Sequence, residues 1–215
     1  MTQAFEAETY DAERTALLFV DPYNDFLSEG GKLWPLVADV AASVKLHDNL
    51  RAILVTARDA GVAVFVVPHH RAEPDDFAGW DHPTPYQRAG SQMQAFAKGS
   101  WGGEFHDEFA PQPGDTIVKE HWTASGFANT DLDFLLKQKG ISHVILIGLI
   151  ANTCIEGTAR NAVDLGYHVT LVRDATAAFS HEAMHAPHDI NAPNFAHAVL
   201  TTAKLVTHFR KEKAQ

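Results

Sequence analysis

The chain is predicted to fold as a three-layer α/β domain around a mostly parallel six-stranded sheet. Two observations predict this. Short continuous runs of apolar, often β-branched residues recur along the chain, as in Thr15-Ala-Leu-Leu-Phe-Val20, Val62-Ala-Val-Phe-Val-Val67 and Val144-Ile-Leu-Ile147. Such runs suit strands buried on both faces of a parallel sheet. Between them lie segments of helical periodicity closed by glycine, and strands alternating with helices imply crossover connections that cover both faces of the sheet.

The first strand, residues 15–20, ends at Asp21-Pro22, and residues 23–31 read as a loop. Val40, Val44, Leu50, Ile53 and Leu54 carry helical spacing through residues 37–60, stopped by Gly61. The second strand, 62–67, is halted by Pro68. From Pro68 to Gly114 the periodicity is lost, while aromatic residues (Phe77, Trp80, Tyr86, Phe96, Trp101) remain frequent. An irregular stretch of that length inside a compact domain is expected to be functional, as a lid or an interface.

Thr116-Ile-Val-Lys119 reads as a short third strand, and Thr130 as the N-cap of a helix ended by Gly140. The fourth strand leads through Gly148 into a turn and then a helix from about Cys154 to Leu165. A fifth strand covers 167–172. Ser180 caps a helix over 181–190 that Pro187 interrupts, a sixth strand covers 197–200, and a last helix runs from about 203 to 211.

Composition narrows the function. All 215 residues fit one domain, 1–215, and the formal net charge of −10 argues against nucleic acid or an anionic membrane as partner. The single cysteine excludes an internal disulfide and suits a reducing compartment. The acidic start of the chain is unlike a signal peptide, and no apolar run reaches membrane-spanning length, so a cytoplasmic protein is expected.

That one cysteine, Cys154, stands where a central strand hands over to a helix. Free N–H groups and partial positive charge at a helix start favour a thiolate, and ligands of open α/β sheets bind at the carboxyl ends of strands. Asp21 and Lys119 occupy equivalent places after their own strands. Together the three offer a nucleophile, a proton acceptor and a cation that holds the ionic pair. A buried structural cysteine, a capping aspartate and a solvated lysine are the competing reading of each residue taken singly.

The motifs Phe19-Val-Asp21-Pro-Tyr-Asn-Asp25-Phe, Val118-Lys119 followed by Ser125-Gly-Phe127-Ala-Asn-Thr130-Asp-Leu132, and Gly148-Leu-Ile-Ala-Asn-Thr-Cys154-Ile-Glu-Gly-Thr-Ala, with Gly166-Tyr-His-Val and Arg173-Asp174-Ala-Thr beyond, resemble the isochorismatase-like cysteine hydrolases. These include nicotinamidases, carbamoylsarcosine and ureidoacrylate amidohydrolases, and isochorismatases. The resemblance runs from about residue 15 to 206. It implies the isochorismatase-like hydrolase fold and an Asp–Lys–Cys triad, carried onto Asp21, Lys119 and Cys154. It also implies a cis peptide at Leu149–Ile150, with the Ile150 and Cys154 N–H groups as an oxyanion hole.

The resemblance points to a small-molecule hydrolase cleaving an amide-like C–N bond through a thioester, with no metal and no other cofactor, and to a homo-oligomer, a dimer or tetramer. Phe26, Trp80, Trp122 and Ile150 are expected pocket walls. Some relatives bind a metal through an Asp-x-His motif after the second strand; here that place reads Pro68-His69-His70-Arg71, with Asp81-His82 adjacent rather than spaced. His69, His70 and His82, and the histidines between 181 and 197, leave that question to the structure. A vinyl-ether hydrolase of isochorismatase type and a non-catalytic binding domain are the alternatives.

Overall fold

The computed structural model describes residues 10–212. Six parallel strands form one sheet in the order β3-β2-β1-β4-β5-β6, with β1 Thr15–Val20, β2 Ala63–Val67, β3 Thr116–Ile117, β4 His143–Leu149, β5 His168–Ala177 and β6 Ala198–Leu200. Every pairing is parallel. β1 lies at the centre, with β2 on one side and β4 on the other, so the chain reverses its direction of travel across the sheet between β1 and β4. That reversal opens the crevice in which such sheets bind ligands.

Alternate residues of each strand feed opposite cores. Leu17, Phe19, Ile145 and Ile147 pack with α2 Trp34–Val44, α3 Leu46–Asp59 and α8 Thr202–Glu212. Ala16, Leu18, Val20, Val144 and Leu146 pack with α5 Leu132–Gln138 and α6 Glu156–Asp164. Both faces of the central strands are therefore dry, and each fully buried Leu or Phe there contributes about 1.5–3 kcal/mol. Among the described residues no helix is long and apolar enough to cross a membrane.

The structure departs from the sequence reading in several places. The helix expected over 37–60 is two helices, α2 and α3, broken at Lys45, whose φ is 55°. The expected loop after β1 holds a short helix, α1 Asn24–Leu27. Its buried Asp25 accepts from the backbone N–H of Lys32 at 2.9 Å and of Phe96 at 2.7 Å. A Cβ on Gly102 would collide with that carboxylate, so Asp25 draws three distant stretches together. Asp131 stands at the cap position of α5 without a side-chain bond to the helix, while the Thr130 hydroxyl accepts from the Leu132 N–H at 3.3 Å and donates to Gly126 O at 2.6 Å.

The 68–114 segment is not wholly irregular. It contains α4 Pro85–Met93, started by a capping box in which Thr84 and Gln87 exchange side-chain and backbone bonds. After α7 His181–His185 the chain widens into a π turn at Pro187, the interruption that proline was expected to cause.

Candidate active site

Asp21 and Cys154 follow neighbouring strands, β1 and β4, whose last paired residues are Val20 and Gly148. Gly148 has φ 110°, and a Cβ there would strike the Val20 carbonyl oxygen, so only glycine allows this close approach. Asp21 itself has φ 55°, a conformation that costs a non-glycine residue energy and turns its carboxylate inward beneath the crevice. Cys154 lies in a π turn, Ala151–Ile155, that leads into α6. The Leu149–Ile150 peptide is cis, as the resemblance implies.

Lys119 does not join them, which corrects the sequence reading. Its side chain is exposed, and its backbone N–H donates to Asp131 Oδ1 at 2.8 Å. The residue beside Asp21 is His121, with Nε2 3.0 Å from Asp21 Oδ1. The cause is an irregularity in the third strand. Ile117 pairs with Val66 and His121 with His69, so four steps on one strand match three on the other. Lys119 follows the strand's alternation outward after buried Val118, and the extra residue acts as a bulge that turns His121, rather than Glu120, inward.

Several contacts hold that turn. The His121 N–H donates to Pro68 O at 2.9 Å, and the His70 N–H to His121 O at 2.8 Å. The Gly126 N–H donates to Thr158 Oγ1 at 2.9 Å, and the Ser125 hydroxyl to Asn161 Oδ1 at 2.8 Å, tying the segment to α6. Glu120 pairs with Arg71 at 2.7 Å. Although burial opposes it, bonds from His70 and Arg71 hold the Glu120 carboxyl down at about 2.

Ligand-capable atoms of Asp21, His121 and Cys154 all lie within 4.8 Å of one another, and the three residues are fully buried. His121 Nδ1 is 2.6 Å from the Thr123 carbonyl, which can only accept, so Nδ1 carries a proton. Burial alone would lower the His121 pKa, but the Asp21 carboxylate raises it above the ordinary histidine value. Asp21 thus favours the protonated form of the His121 ring.

Burial, and then the Asp21 carboxylate, push the Cys154 thiol well above its usual range. This corrects the expectation of a thiolate at the helix start: the resting residue is a thiol. Asp21 Oδ2 is buried without a hydrogen-bond partner.

The expected pocket walls divide. Ile150 is buried beside the nucleophile, and Phe26 packs beneath on Phe96, with ring centroids 4.9 Å apart. Trp122 instead stacks on His70 at 3.6 Å, and Trp80 sits half exposed 5.8 Å from Trp122 and 5.0 Å from Phe77.

The rings nearer the triad were not among the expected pocket walls. His69 meets His121 edge-on at 5.0 Å and touches Phe96 and Tyr86. Burial first, then negative charge on Cys154, when it is ionised, and on Asp21, raise the Tyr86 pKa. A cleft of about 180 Å³ beside it is lined by Leu33, Leu36, Met93, Phe96 and Phe179.

Among the described residues, the other histidines are engaged by separate partners. His70 is paired to Asp76 at 2.8 Å and His69 Nδ1 to the His70 carbonyl at 2.9 Å, while His82 is exposed. His181 bonds Asp39, His185 bonds Asp189, His188 bonds Met184 O, and His197 accepts from the Val169 N–H, each on a separate partner. Among the described residues, Asp21, His121 and Cys154 form the one cluster with metal-ligand geometry.

The isochorismatase domain model matches residues 15–204, nearly the whole described chain. The chain belongs to the isochorismatase family. Within that family it is 34% identical over 181 residues to the ureidoacrylate amidohydrolase RutB of Pantoea ananatis (strain LMG 20103), covering 80% of this chain and 72% of RutB. Among solved structures it is similar to a cysteine hydrolase from Pseudomonas syringae pv. phaseolicola 1448A, with a TM-score of 0.81, 26% identity, and 99% and 100% of the two chains covered. It is also similar to N-carbamoylsarcosine amidase from Thermoplasma acidophilum, with a TM-score of 0.63, 29% identity, and 88% and 96% covered.

Proposed function

We propose that this isochorismatase-family protein hydrolyses a C–N bond of a small amide-like molecule through a thioester on Cys154. The observation that carries the reading is the buried convergence of Asp21, His121 and Cys154 at the switch point of the sheet. Two relatives are by name an amidohydrolase and an amidase, and the retained cysteine favours acyl transfer over ether hydrolysis.

Asp21 takes the thiol proton as Cys154 Sγ attacks the substrate carbonyl carbon. Transfer at the moment of attack suits a thiol whose resting pKa is high. The oxyanion is received by the N–H groups of Ile150 and Cys154. As the C–N bond breaks, the proton on Asp21 passes to the leaving nitrogen, leaving a thioester. Water, losing a proton to Asp21, then attacks that thioester; the acid departs and the proton returns to sulfur. His121 holds positive charge against Asp21 throughout, the part the family resemblance gives to lysine, and the apolar cleft by Tyr86 receives the unreactive end of the substrate.

The test is a panel of small amides, ureas and imides, with intact-mass detection of an acyl adduct. Cys154→Ala should abolish both adduct and turnover. Turnover that survives this substitution would favour the ether-hydrolase reading.

A further inference from the structure

We propose that Asp21, His121 and Cys154 also form a binding site for a thiophilic divalent cation, Zn2+ in chemical class, and that its occupancy silences the nucleophile. The two functions exclude one another, because a sulfur that ligates metal cannot attack carbon.

The geometry begins with His121. Its Nδ1 proton is committed to the Thr123 carbonyl at 2.6 Å, so Nε2 is the atom that meets Asp21 Oδ1 at 3.0 Å. A nitrogen lone pair and a carboxylate oxygen at that distance repel unless a cation lies between or beside them. A proton can do this, as in the mechanism above, and so can a metal ion. Cys154 Sγ stands within 4.8 Å of both.

A second observation points the same way: wholly buried Asp21 Oδ2 meets no nitrogen or oxygen donor, and the one donor the Asp21 carboxylate has besides His121 is the Cys154 thiol, which is weak and is itself a member of the set. An unsatisfied buried carboxylate oxygen is costly, and a cation between these residues would satisfy it.

The donor set selects the ion. One thiolate, one imidazole and one carboxylate suit tetrahedral zinc with an open fourth position. Calcium and magnesium require several oxygens that this apolar setting does not offer. The outer contacts are those of a ligand histidine, whose second ring nitrogen donates to a backbone carbonyl and fixes the tautomer. The Thr153 hydroxyl, 3.8 Å from Sγ, can support the thiolate. A lysine in place of His121 would provide donors only and no lone pair while charged, so the imidazole is what makes the triad a ligand set.

Binding would release the thiol proton and any proton on Nε2 to solvent. The charge on the metal would replace the positive charge on His121.

The experiment uses the full chain, stripped of metal by a chelator and dialysed, and titrated with Co2+ under reducing conditions. We expect one Co2+ per chain, with a thiolate-to-cobalt charge-transfer absorption that Zn2+ removes by displacement. Zn2+ should protect Cys154 from iodoacetamide, and EDTA should reverse the protection. Cys154→Ala should lose the charge-transfer band. His121→Lys should weaken Co2+ binding by at least ~100-fold, more than loss of an outer contact, and His121→Gln serves if the lysine variant does not fold.

Absence of a charge-transfer band at millimolar Co2+, or binding unchanged in the cysteine and histidine variants, overturns the site. An acyl adduct on metal-free protein that binds no Co2+ would leave the hydrolase reading standing while this one falls. Cobalt bound through Cys154, in a protein that turns over no member of the amide panel, would be the reverse.

Discussion

His121 Nε2 lies 3.0 Å from Asp21 Oδ1, both side chains fully buried, and this contact puts an imidazole where a lysine was expected. Two buried groups of opposite charge depend on each other: removing one partner strands the other in a dry site. His121→Ala is therefore expected to destabilise the fold by about 3–5 kcal/mol and to abolish turnover. His121→Lys, which returns a cation, should recover part of both. Urea unfolding and turnover of the two variants check this; a stable, active alanine variant would remove His121 from the mechanism.

Lys119→Ala should be nearly silent. Its side chain is exposed on the outer side of the bulge, and substitutions at such positions change stability by no more than about 0.5 kcal/mol. Activity should stay within about twofold, since an exposed ammonium has little electrostatic reach in water. A hundredfold fall in kcat/KM with folding intact would bring the lysine back into the site.

The Cys154 thiol should resist ionisation. Burial and the Asp21 carboxylate both disfavour a second negative charge, and they outweigh the helix start. The iodoacetamide rate should rise with pH through an inflection above the ordinary thiol value of about 8.5. An inflection clearly below that value would mean that the helix start and the His121 charge dominate.

Much of this site was legible in the sequence, for identifiable reasons. β1 and β4 are continuous apolar runs, which only a strand buried on both faces needs; Asp21 directly follows β1, and Cys154 lies in the turn that follows β4. His121 was not legible. β3 spans two residues, too few to show any period, and the bulge that turns His121 inward depends on pairing with β2 rather than on local pattern. α4 could have been found: Thr84-Pro-Tyr-Gln87 carries the capping-box spacing with proline in the first turn, and Tyr86, Ala89 and Met93 follow helical spacing. The density of glycine and proline around it hid the pattern.

Acid should loosen the far edge of the sheet. His168 lies between His143 at 4.7 Å and His197 at 4.2 Å, and burial followed by these two neighbours lowers its pKa to about 4. A folded-state pKa below the unfolded value of about 6.5 means that the neutral ring is favoured in the fold. The stability it contributes is present above pH 6.5 and is lost as pH falls towards 4. Urea midpoints should drop across that window and drop less in His168→Phe. An identical pH dependence in the variant would place the acid sensitivity elsewhere.

Assembly is the last expectation. Of the aromatic residues in the 68–114 segment, Phe96 and Phe109 are buried within the chain, whereas Trp80 is 49% exposed, Tyr86 39% and Trp101 53%. The domain thus covers two of these rings itself and leaves three large side chains at the surface, of which Tyr86 shares a cleft with the exposed Leu36, Met93 and Phe179. Contiguous apolar surface is uncommon on monomers, and aromatic residues are enriched at subunit contacts. We therefore propose a homo-oligomer in which the 68–114 segment contributes to the interface and a neighbouring chain helps to close the approach to Cys154. Sedimentation equilibrium at micromolar concentration should give at least twice the 23.6 kDa of one chain; a mass near one chain would instead make the segment a lid on its own site. With an oligomer in hand, Trp80→Ser and Trp101→Ser should weaken association, and unchanged association would move the interface to another face.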